Sequence, residues 1–140
     1  MTFDQNQERT GMYDLTDPVE AKAAADAAII AQQNDRFRNT WGADFTIPGQ
    51  VEFTAALAEA GFATTAAAMA GVQQFADFND DNDPYGDHSF GAVEIKVGDE
   101  TKTVWFKIDL YDKAYEYGSE QPTDVGQTRR VMTVMFPSDY

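Results

Sequence analysis

Cysteine is absent from the 140 residues of this chain. Its absence excludes a disulfide framework, a thiolate nucleophile and a cysteine-based zinc site. Long apolar runs are absent as well, since no stretch approaches the ~18 consecutive apolar residues that a membrane-spanning helix needs. The first residues, Met1 to Gln5, show neither the basic region nor the apolar segment of a signal peptide. We therefore expect a cytoplasmic protein without a membrane partner.

Lysine and arginine are absent between Asn39 and Ile95. The same stretch contains nine acidic residues, namely Asp44, Glu52, Glu59, Asp77, Asp80, Asp81, Asp83, Asp87 and Glu94. Over the whole chain 24 acidic residues stand against 10 basic ones, which gives a net charge of −14 at pH 7. A field of this sign repels nucleic acid and attracts basic protein surfaces or cations. The charge argues against direct nucleic-acid binding, while acidity that serves solubility alone stays an alternative.

Length and composition predict one folded domain. A chain of 140 residues is long enough to bury a core, and its 43% hydrophobic and 13% aromatic content is not that of a disordered protein. Residues 1–16 are polar and show no clear period, which indicates a flexible N-terminal arm. Residues 17–140 form the predicted domain.

The first predicted helix has a recognisable start. Asp17 is suited to cap it, Pro18 to occupy its first position, and Glu20 to complete a capping box. Apolar residues then recur at spacings near 3.6 as far as about Arg38, which is typical of a helix with one apolar face. Asn34 falls on that face, where we expect an Asn to be a hydrogen-bonded structural group.

The second predicted helix lies between two interruptions of the pattern. Gly61 breaks the chain, and Thr64 or Thr65 is suited to cap a helix that reaches about Phe75. The apolar residues within it recur at helical spacing, so one face of this helix is expected to pack on the core.

Four segments show strand patterns. They cover residues 50–54, 90–97, 103–110 and 129–136, and Gly98-Asp99 joins the second to the third as a hairpin. The last segment is apolar on both faces from Val131 on, which places it centrally in a sheet. The elements together predict an α+β domain: two helices packed on a small, mostly antiparallel sheet that contains a central hairpin.

Residues 77–89 form a turn-rich segment, called the acidic loop below. Its alternating acids imitate the start of a calcium-binding EF-hand loop, but Asn82 stands where glycine is needed and His88 stands where the final glutamate is needed. We therefore favour a loop whose Asn and Asp side chains bond to their own backbone, with an irregular cation site as the alternative. The sequence implies no cofactor.

Two sets of residues are candidate functional sites. The acids of the acidic loop are expected to bind a partner: Asp77, Asp80, Asp81, Asp83 and Asp87. A second cluster combines polar and aromatic residues of the loop and the hairpin: Asn82, His88, Trp105, Lys107, Asp109, Tyr111 and Asp112.

An enzymatic or metal-binding alternative centres on His88 with Asp83 and Asp109. An imidazole beside a carboxylate is suited to acid–base catalysis. No nucleophile elbow, HExxH motif or phosphate-binding glycine loop accompanies these residues, so we favour a histidine that braces the loop and assign no catalytic residue.

Basic residues offer a purely structural interpretation of the same region. Lys107 and Asp109 are suited to an internal ion pair that locks the acidic loop to the sheet. The dipeptide Arg129-Arg130 is a second candidate to pair with the acidic loop, because it is basic within an acidic chain.

Four motifs occur in order along the chain: Asn34-Asp35-Arg36-Phe37-Arg38, then residues 82–91, 105–112 and 128–135. Together they resemble a small bacterial family catalogued as a domain of unknown function, common in alphaproteobacteria and on their plasmids and phages. The resemblance covers roughly residues 29–140. It implies no established activity, but it implies that genes of this kind travel with mobile elements.

The chain departs from the family pattern at two places. The family usually has Glu-His-Asp-Phe-Gly where this chain has Asp87-His88-Ser89-Phe90-Gly91, and Tyr-Tyr-Asp where this chain has Leu110-Tyr111-Asp112. The acid missing at Ser89 weakens the case for a carboxylate–histidine site there.

Charge and resemblance together predict an acidic, non-enzymatic binding protein that acts on a basic surface of a host protein. The expected partner is a nucleic-acid-handling protein, and one form of the hypothesis is a counter-defence inhibitor that mimics nucleic acid. A small enzyme or metal-binding protein at Asp83, His88 and Asp109 is the alternative. A plasmid maintenance factor that is acidic for solubility alone is a third.

Overall fold

A computed structural model describes residues 8–140, so the first seven residues of the predicted arm lie outside the described part. The elements in chain order are β1 Arg9–Thr10, β2 Tyr13–Asp14, α1 Pro18–Asn39, β3 Gly49–Phe53, α2 Ala55–Glu59, α3 Phe62–Gln74, β4 Phe90–Val97, β5 Glu100–Tyr111, β6 Arg129–Met135 and a 3₁₀ turn Pro137–Asp139. The predicted α+β class is confirmed. Within residues 8–140, no helix is both long enough and apolar enough to cross a membrane.

The main sheet has four strands in the order β3-β6-β5-β4. β3 runs parallel to β6, whereas β6 pairs with β5 and β5 with β4 in antiparallel fashion. The mostly antiparallel sheet and the internal position of the last strand are as predicted. The predicted hairpin is β4–β5, and it reaches from the interior of the sheet to one edge, because β4 is the outermost strand.

One face of the sheet forms the core with α1 and α3. The core residues of 0% exposure come from both layers: Phe37, Leu57, Ala68, Val72, Val104, Phe106, Met132 and Val134. Along β4 the residues alternate between buried Val93 and Ile95 and exposed Glu94 and Lys96. The period of two in the sequence therefore marks the faces of this strand correctly.

The start of α1 agrees with its sequence signal except at one residue. Asp17 caps the helix, since its Oδ1 accepts a hydrogen bond from the amide of Val19 at 2.9 Å. Glu20 does not complete a capping box. Its carboxylate accepts from the amide of Asp14 at 3.2 Å instead, because the chain before the helix folds back over its first turn.

Residues 9–14 are not the loose segment that their polarity suggested. β1 and β2 form a two-stranded hairpin, and Met12 donates a backbone hydrogen bond to the carbonyl of Pro84 at 3.4 Å. The hairpin lies against both α1 and the acidic loop. Tertiary contacts, rather than a strong local pattern, hold this short element in place.

The second predicted helix begins earlier than expected. Gly61, with a φ of 102°, is the residue before α3, and Phe62 is its first residue. The expectation of a cap at Thr64 or Thr65 is wrong, because Thr64 is buried inside the helix. A backbone angle that favours glycine, rather than a side-chain cap, sets the start of this helix.

Gly91 of β4 lies directly beneath two aromatic rings of the core. The rings of Phe75 and Phe106 meet edge to face at 5.6 Å above it. A Cβ atom at Gly91 would lie 2.7 Å from Cζ of Phe106 and 2.8 Å from Cε1 of Phe75. A side chain at this position would displace both rings.

We expect Gly91→Ala to lower the free energy of unfolding by about 1–3 kcal/mol, because overpacking moves core rings from their preferred positions. Urea denaturation measures the loss. Gly118→Ala is the matched control, since a Cβ there meets no heavy atom within 4 Å, and its effect should stay within about 0.5 kcal/mol. Equal effects of the two substitutions would contradict the packing described here.

Candidate functional site

Asn34 joins α1 to both the acidic loop and the sheet. Its side chain is 0% exposed. Nδ2 donates to the carbonyl of Asp87 at 2.9 Å, and Oδ1 accepts from Nε of Arg130 at 2.7 Å. These contacts agree with the predicted structural role of Asn34, since both ends of its buried amide are hydrogen-bonded.

Arg38 holds the place where α3 ends and the acidic loop begins. Its guanidinium donates to the carbonyl of Val72 at 3.1 Å, to that of Phe75 at 2.9 Å and to Asp35 at 3.1 Å. The same group lies over the ring of Phe78, 5.2 Å from its centroid. Burial lowers the pKa of Arg38, and the carboxylate of Asp35 opposes that change. A cation from α1 therefore satisfies the last carbonyls of α3.

His88 braces the far end of the acidic loop. Its Nδ1 lies 2.8 Å from Oδ1 of Asp35, and its Nε2 lies 3.6 Å from Oδ2 of Asp83. The ring stacks on Phe78 with centroids 3.9 Å apart and planes 3° from parallel. Both ring nitrogens face carboxylates and one ring face is covered, while the side chain as a whole is 27% exposed.

Asp83 is the only acid of the loop with a buried side chain. It is 9% exposed, and its Oδ1 accepts from the amide of His88 at 3.3 Å. Burial raises the pKa of Asp83, the neighbouring Asp87 raises it further, and His88 acts in the opposite direction. This acid therefore belongs to the interior of the loop and not to its outer surface.

Two asparagines hold the exposed part of the acidic loop. Oδ1 of Asn79 accepts from the amides of Asp81 and Asn82 at 2.9 and 3.0 Å. Asn82 accepts from the amide of Asn79 at 2.9 Å and donates to the carbonyl of Asp77 at 2.7 Å. The interpretation of a loop held by its own side chains is confirmed.

The carboxylates of Asp77, Asp80 and Asp81 have a different environment. All three residues are exposed. Within residues 8–140 none of these carboxylates accepts a hydrogen bond or forms an ion pair. Among the described residues, only these three of the five acids predicted to bind a partner therefore present free carboxylates to solvent. Asp83 is buried, and Asp87 accepts a hydrogen bond from the amide of Ser89 at 3.3 Å.

The second predicted cluster does not assemble into one site. Lys107 pairs with Asp109 at 3.0 Å on the same strand, and this hydrogen bond raises the pKa of Lys107. The prediction that this pair locks the acidic loop to the sheet is wrong. Lys107 and Asp109 lie two positions apart on the same face of β5, so their ion pair stays within that strand. Asp109 is not among the hydrogen-bond partners of His88.

The remaining members of that cluster lie along β5 and after it. Trp105 packs edge to face on Phe90 at 5.3 Å and on Tyr140 at 5.9 Å. These three aromatic side chains, together with Lys107 and Asp109, line an open cleft of about 400 Å³. Tyr111 ends the strand. Asp112 caps the following turn, since its Oδ1 accepts from the amides of Ala114 and Glu116 at 3.1 Å each.

The basic dipeptide does not pair with the acidic loop. Arg130 is 0% exposed and bonds to Asn34 and, at 2.8 Å, to Oε1 of Gln33. Burial lowers the pKa of Arg130 to about 10. Arg129 donates to the carbonyl of Thr128 at 3.0 Å. The side chain of Arg130 points into the core, where it forms no ion pair with any acid of the described residues. Its link to the acidic loop runs through Asn34, which bonds both to Arg130 and to the carbonyl of Asp87.

Sequence reasoning missed Gln33, Asp35 and Arg38 as members of this network. For Asp35 and Arg38 a signal was available, because residues three apart share a helix face. The spacing of Gln33 from either residue offered none. Among the described residues, no group of three or more His, Asp or Glu side chains is placed to hold a metal ion.

Comparison with known proteins adds one match. The model of a family described as "Protein of unknown function (DUF3768)" matches residues 53–139. No curated protein and no solved structure gives a significant match. The matched range includes α3, the acidic loop and the strands from β4 to β6, whereas Asn34, Asp35 and Arg38 of α1 precede it.

We expect Asp35→Asn to lower the free energy of unfolding by about 2–4 kcal/mol, because it leaves the buried Arg38 without its carboxylate. Urea denaturation at pH 7 measures the loss. Asp26→Asn in the same helix is the control, since Asp26 pairs at 2.7 Å with Lys22, which is 76% exposed, and exposed pairs contribute less than about 1 kcal/mol. Similar losses in both variants would contradict the role given to Asp35.

Asp83 predicts a pH dependence of stability. Because its pKa is raised in the folded state, ionised Asp83 destabilises the fold above that pKa, and the penalty disappears as the pH falls toward the unfolded value of about 3.9. Asp83→Asn keeps an oxygen for the amide of His88. We expect this variant to match or exceed the wild type at pH 7 and to lose that advantage near pH 4.

Thermal unfolding across this pH range tests the expectation, with the exposed Asp80→Asn as control. A loss of stability in Asp83→Asn that is larger at pH 7 than at pH 4 would contradict it. Such a result would show that the ionised contact with His88 outweighs the cost of burial.

Proposed function

This chain belongs to the family described as "Protein of unknown function (DUF3768)", and we propose that it is a non-enzymatic binding protein. In this proposal the acidic loop docks on a basic surface of another protein. The observation that carries the proposal is the environment of Asp77, Asp80 and Asp81, whose exposed carboxylates take no part in holding the loop that presents them.

The loop is preorganised for such contacts. Asn79 and Asn82 hold its exposed turn, Arg38 holds its start and His88 holds its end. A partner that binds the three carboxylates therefore breaks no internal bond and orders little extra backbone, which removes part of the usual cost of association. Side chains that exist to stabilise a loop are expected to bond within it, and these three do not.

The charge of the whole chain supports a basic partner. A net charge of −14 attracts a basic surface from a distance and raises the rate of encounter. Basic grooves that bind phosphate backbones are the protein surfaces most suited to a row of carboxylates. We therefore propose a host protein that handles nucleic acid as the partner, with the acidic loop in the place of phosphates.

A counter-defence inhibitor carried by a phage or plasmid is the specific form of this proposal. It follows from the charge together with the mobile-element context that the family resemblance implies. The geometry gives less support to a small enzyme at Asp83, His88 and Asp109. The ring nitrogens of His88 already face Asp35 and Asp83. The carboxylate of Asp109 already pairs with Lys107.

The test compares two triple variants of equal charge. One changes Asp77, Asp80 and Asp81 to Asn. The control changes Glu94 and Glu116 to Gln and Asp99 to Asn, which are exposed acids elsewhere. Each is measured against a basic protein captured from host lysate on the immobilised wild-type chain.

We expect the loop variant to slow association about tenfold or more, because charges at an interface steer encounter, while the control variant changes the rate far less. Raising salt from about 50 to 500 mM should weaken the wild-type complex steeply. A partner bound equally well by the loop variant, or equally well at high salt, would refute the proposal.

A further inference from the structure

β4 is an edge strand with an open outer side. It pairs with β5 from Phe90 to Val97 without a bulge, and within residues 8–140 no strand lies on its other side. Natural sheets protect such edges with bulges, proline or a short strand, because an open row of backbone groups pairs readily with another chain. β4 has neither a bulge nor a proline, and only Glu94 and Lys96 in it are charged. Since the opposite edge strand β3 has only five residues, β4 is the longer of the two edges.

The hydrogen-bond ladder determines which backbone groups of β4 point outward. In an antiparallel pair, alternate residues exchange both backbone hydrogen bonds with the partner strand, and the residues between them point both groups the other way. The amide of Ile108 donates to the carbonyl of Ser89 at 2.7 Å, and the register of the two strands places these residues opposite each other. The residues of β4 that bond to β5 are therefore Gly91, Val93, Ile95 and Val97. The residues that point their N–H and C=O groups outward are Phe90, Ala92, Glu94 and Lys96.

These outward groups have no hydrogen-bond partner among the described residues. Each of the four residues carries one N–H and one C=O, so donors and acceptors alternate along the edge at the spacing of a strand. The side chains of Ala92, Glu94 and Lys96 are exposed, so this row lies at the protein surface. The binding partner that matches it is another extended backbone, whose own N–H and C=O groups alternate at the same spacing.

We infer that the edge of β4 binds an extended segment of another protein as a fifth strand of the sheet. An antiparallel segment exchanges both backbone hydrogen bonds with each of the four outward residues. Alternate side chains of the segment point to the same side as Val93 and Ile95, which are 6% and 4% exposed. α3 packs on that side, since a Cβ atom at Gly71 would lie 3.0 Å from Val93. Apolar residues of the segment therefore belong on the side of α3, and its polar residues on the side of Glu94.

Charge selects a basic segment. The net charge of −14 repels an acidic segment and a second copy of this chain alike. Lys96 is the only cation of β4, and it lies at the end away from the acidic loop, because that loop leads directly into Phe90. A basic residue beside Glu94 gains a cross-strand charge contact. The segment that fits this edge thus alternates apolar and basic residues. Binding here is independent of the acidic loop, since no residue of the loop contributes an outward group of β4.

Two isomeric peptides test the backbone contact on the unaltered chain. Each alternates valine and lysine over the length of β4, with the lysines on the side of Glu94. Residues opposite the outward residues of β4 share their side of the sheet and bond to them. Methylated lysine nitrogens therefore cannot donate to β4, whereas methylated valine nitrogens point away from it. The isomers carry equal charge, and isothermal titration calorimetry in about 500 mM salt, which screens exposed charges, measures their affinities.

We expect the isomer with methylated lysine nitrogens to bind at least about tenfold more weakly than the other, because it loses a hydrogen bond at each outward residue. Equal affinities would show that charge alone attracts the peptides, and would overturn the inference. An unmethylated peptide that does not bind at about 1 mM would overturn it as well.

Hydrogen exchange locates the bound peptide. In the free chain we expect the amides of Ala92, Glu94 and Lys96 to exchange rapidly, since they face solvent, and those of Val93 and Ile95 slowly, since they bond to β5. The unmethylated peptide should slow exchange at the first three amides by about tenfold or more. Protection that appears elsewhere, with no change at these three amides, would contradict the assignment of the site to β4.

Ala92→Pro removes one outward N–H and places a ring carbon in the path of the segment. The substitution spares the ladder with β5, because the N–H of Ala92 points away from that strand. We expect the unmethylated peptide to bind this variant about tenfold or more weakly. Ala92→Val, which keeps the N–H, is the matched control and should bind as the wild type does. Thermal unfolding checks that both variants fold, and a folded proline variant with wild-type affinity would count against β4.

Sedimentation equilibrium of the chain without peptide tests the choice of occupant. We expect the mass to stay at that of one chain, 15.5 kDa. A wild type that dimerises, together with an Ala92→Pro variant that does not, would show that β4 pairs with its own copy, and the assignment to a foreign segment would be wrong. Because the acidic loop is unchanged in these variants, failure here leaves the proposed function standing.

Discussion

The buried guanidinium of Arg38 is the interaction on which the arrangement of the other parts depends. It is 2% exposed and meets the last carbonyls of α3, the carboxylate of Asp35 and the ring of Phe78. Without it the carbonyl of Phe75, at the C-cap of α3, would lose its donor, and the loop that follows would have no fixed starting point. Asp35 extends the same contact to His88, so two paired side chains of α1, Arg38 and Asp35, anchor the two ends of the acidic loop.

A second buried arginine shows how the protein treats its positive charge. Arg130 bonds to neutral amides, and Arg38 meets one carboxylate, so two of the 10 basic residues are withdrawn from solvent while consuming a single acid among the described residues. Burying a cation is costly. Hydrogen bonds to carbonyl and amide oxygens offset part of that cost, but Nη1 of Arg130 is buried without a hydrogen-bond partner among the described residues.

The parts that could be predicted from the sequence are those with a local cause. Alternation identified β4 and β5, a run of apolar residues identified the internal strand β6, and the Asn and Asp content identified a self-bonded loop. Arg38 could not be predicted, because its partners lie 34 and 37 residues away. The same holds for Asp35, whose partner His88 is 53 residues distant. The ion pair assigned to Lys107 and Asp109 does form, but it stays on β5 and does not reach the acidic loop.

α3 shows how these features depend on one another. A helix is stabilised by a cation near its C-terminus, and α3 has no basic residue of its own. Arg38 of α1 supplies that cation from the core side, so the outer side of α3 needs no charged residue at this end. The same guanidinium fixes the start of the acidic loop through the carbonyl of Phe75. The buried arginine already pairs with Asp35, so it needs no carboxylate of the loop as a partner. An uncharged helix face and a strongly charged loop can therefore follow one another in the chain without sharing a surface.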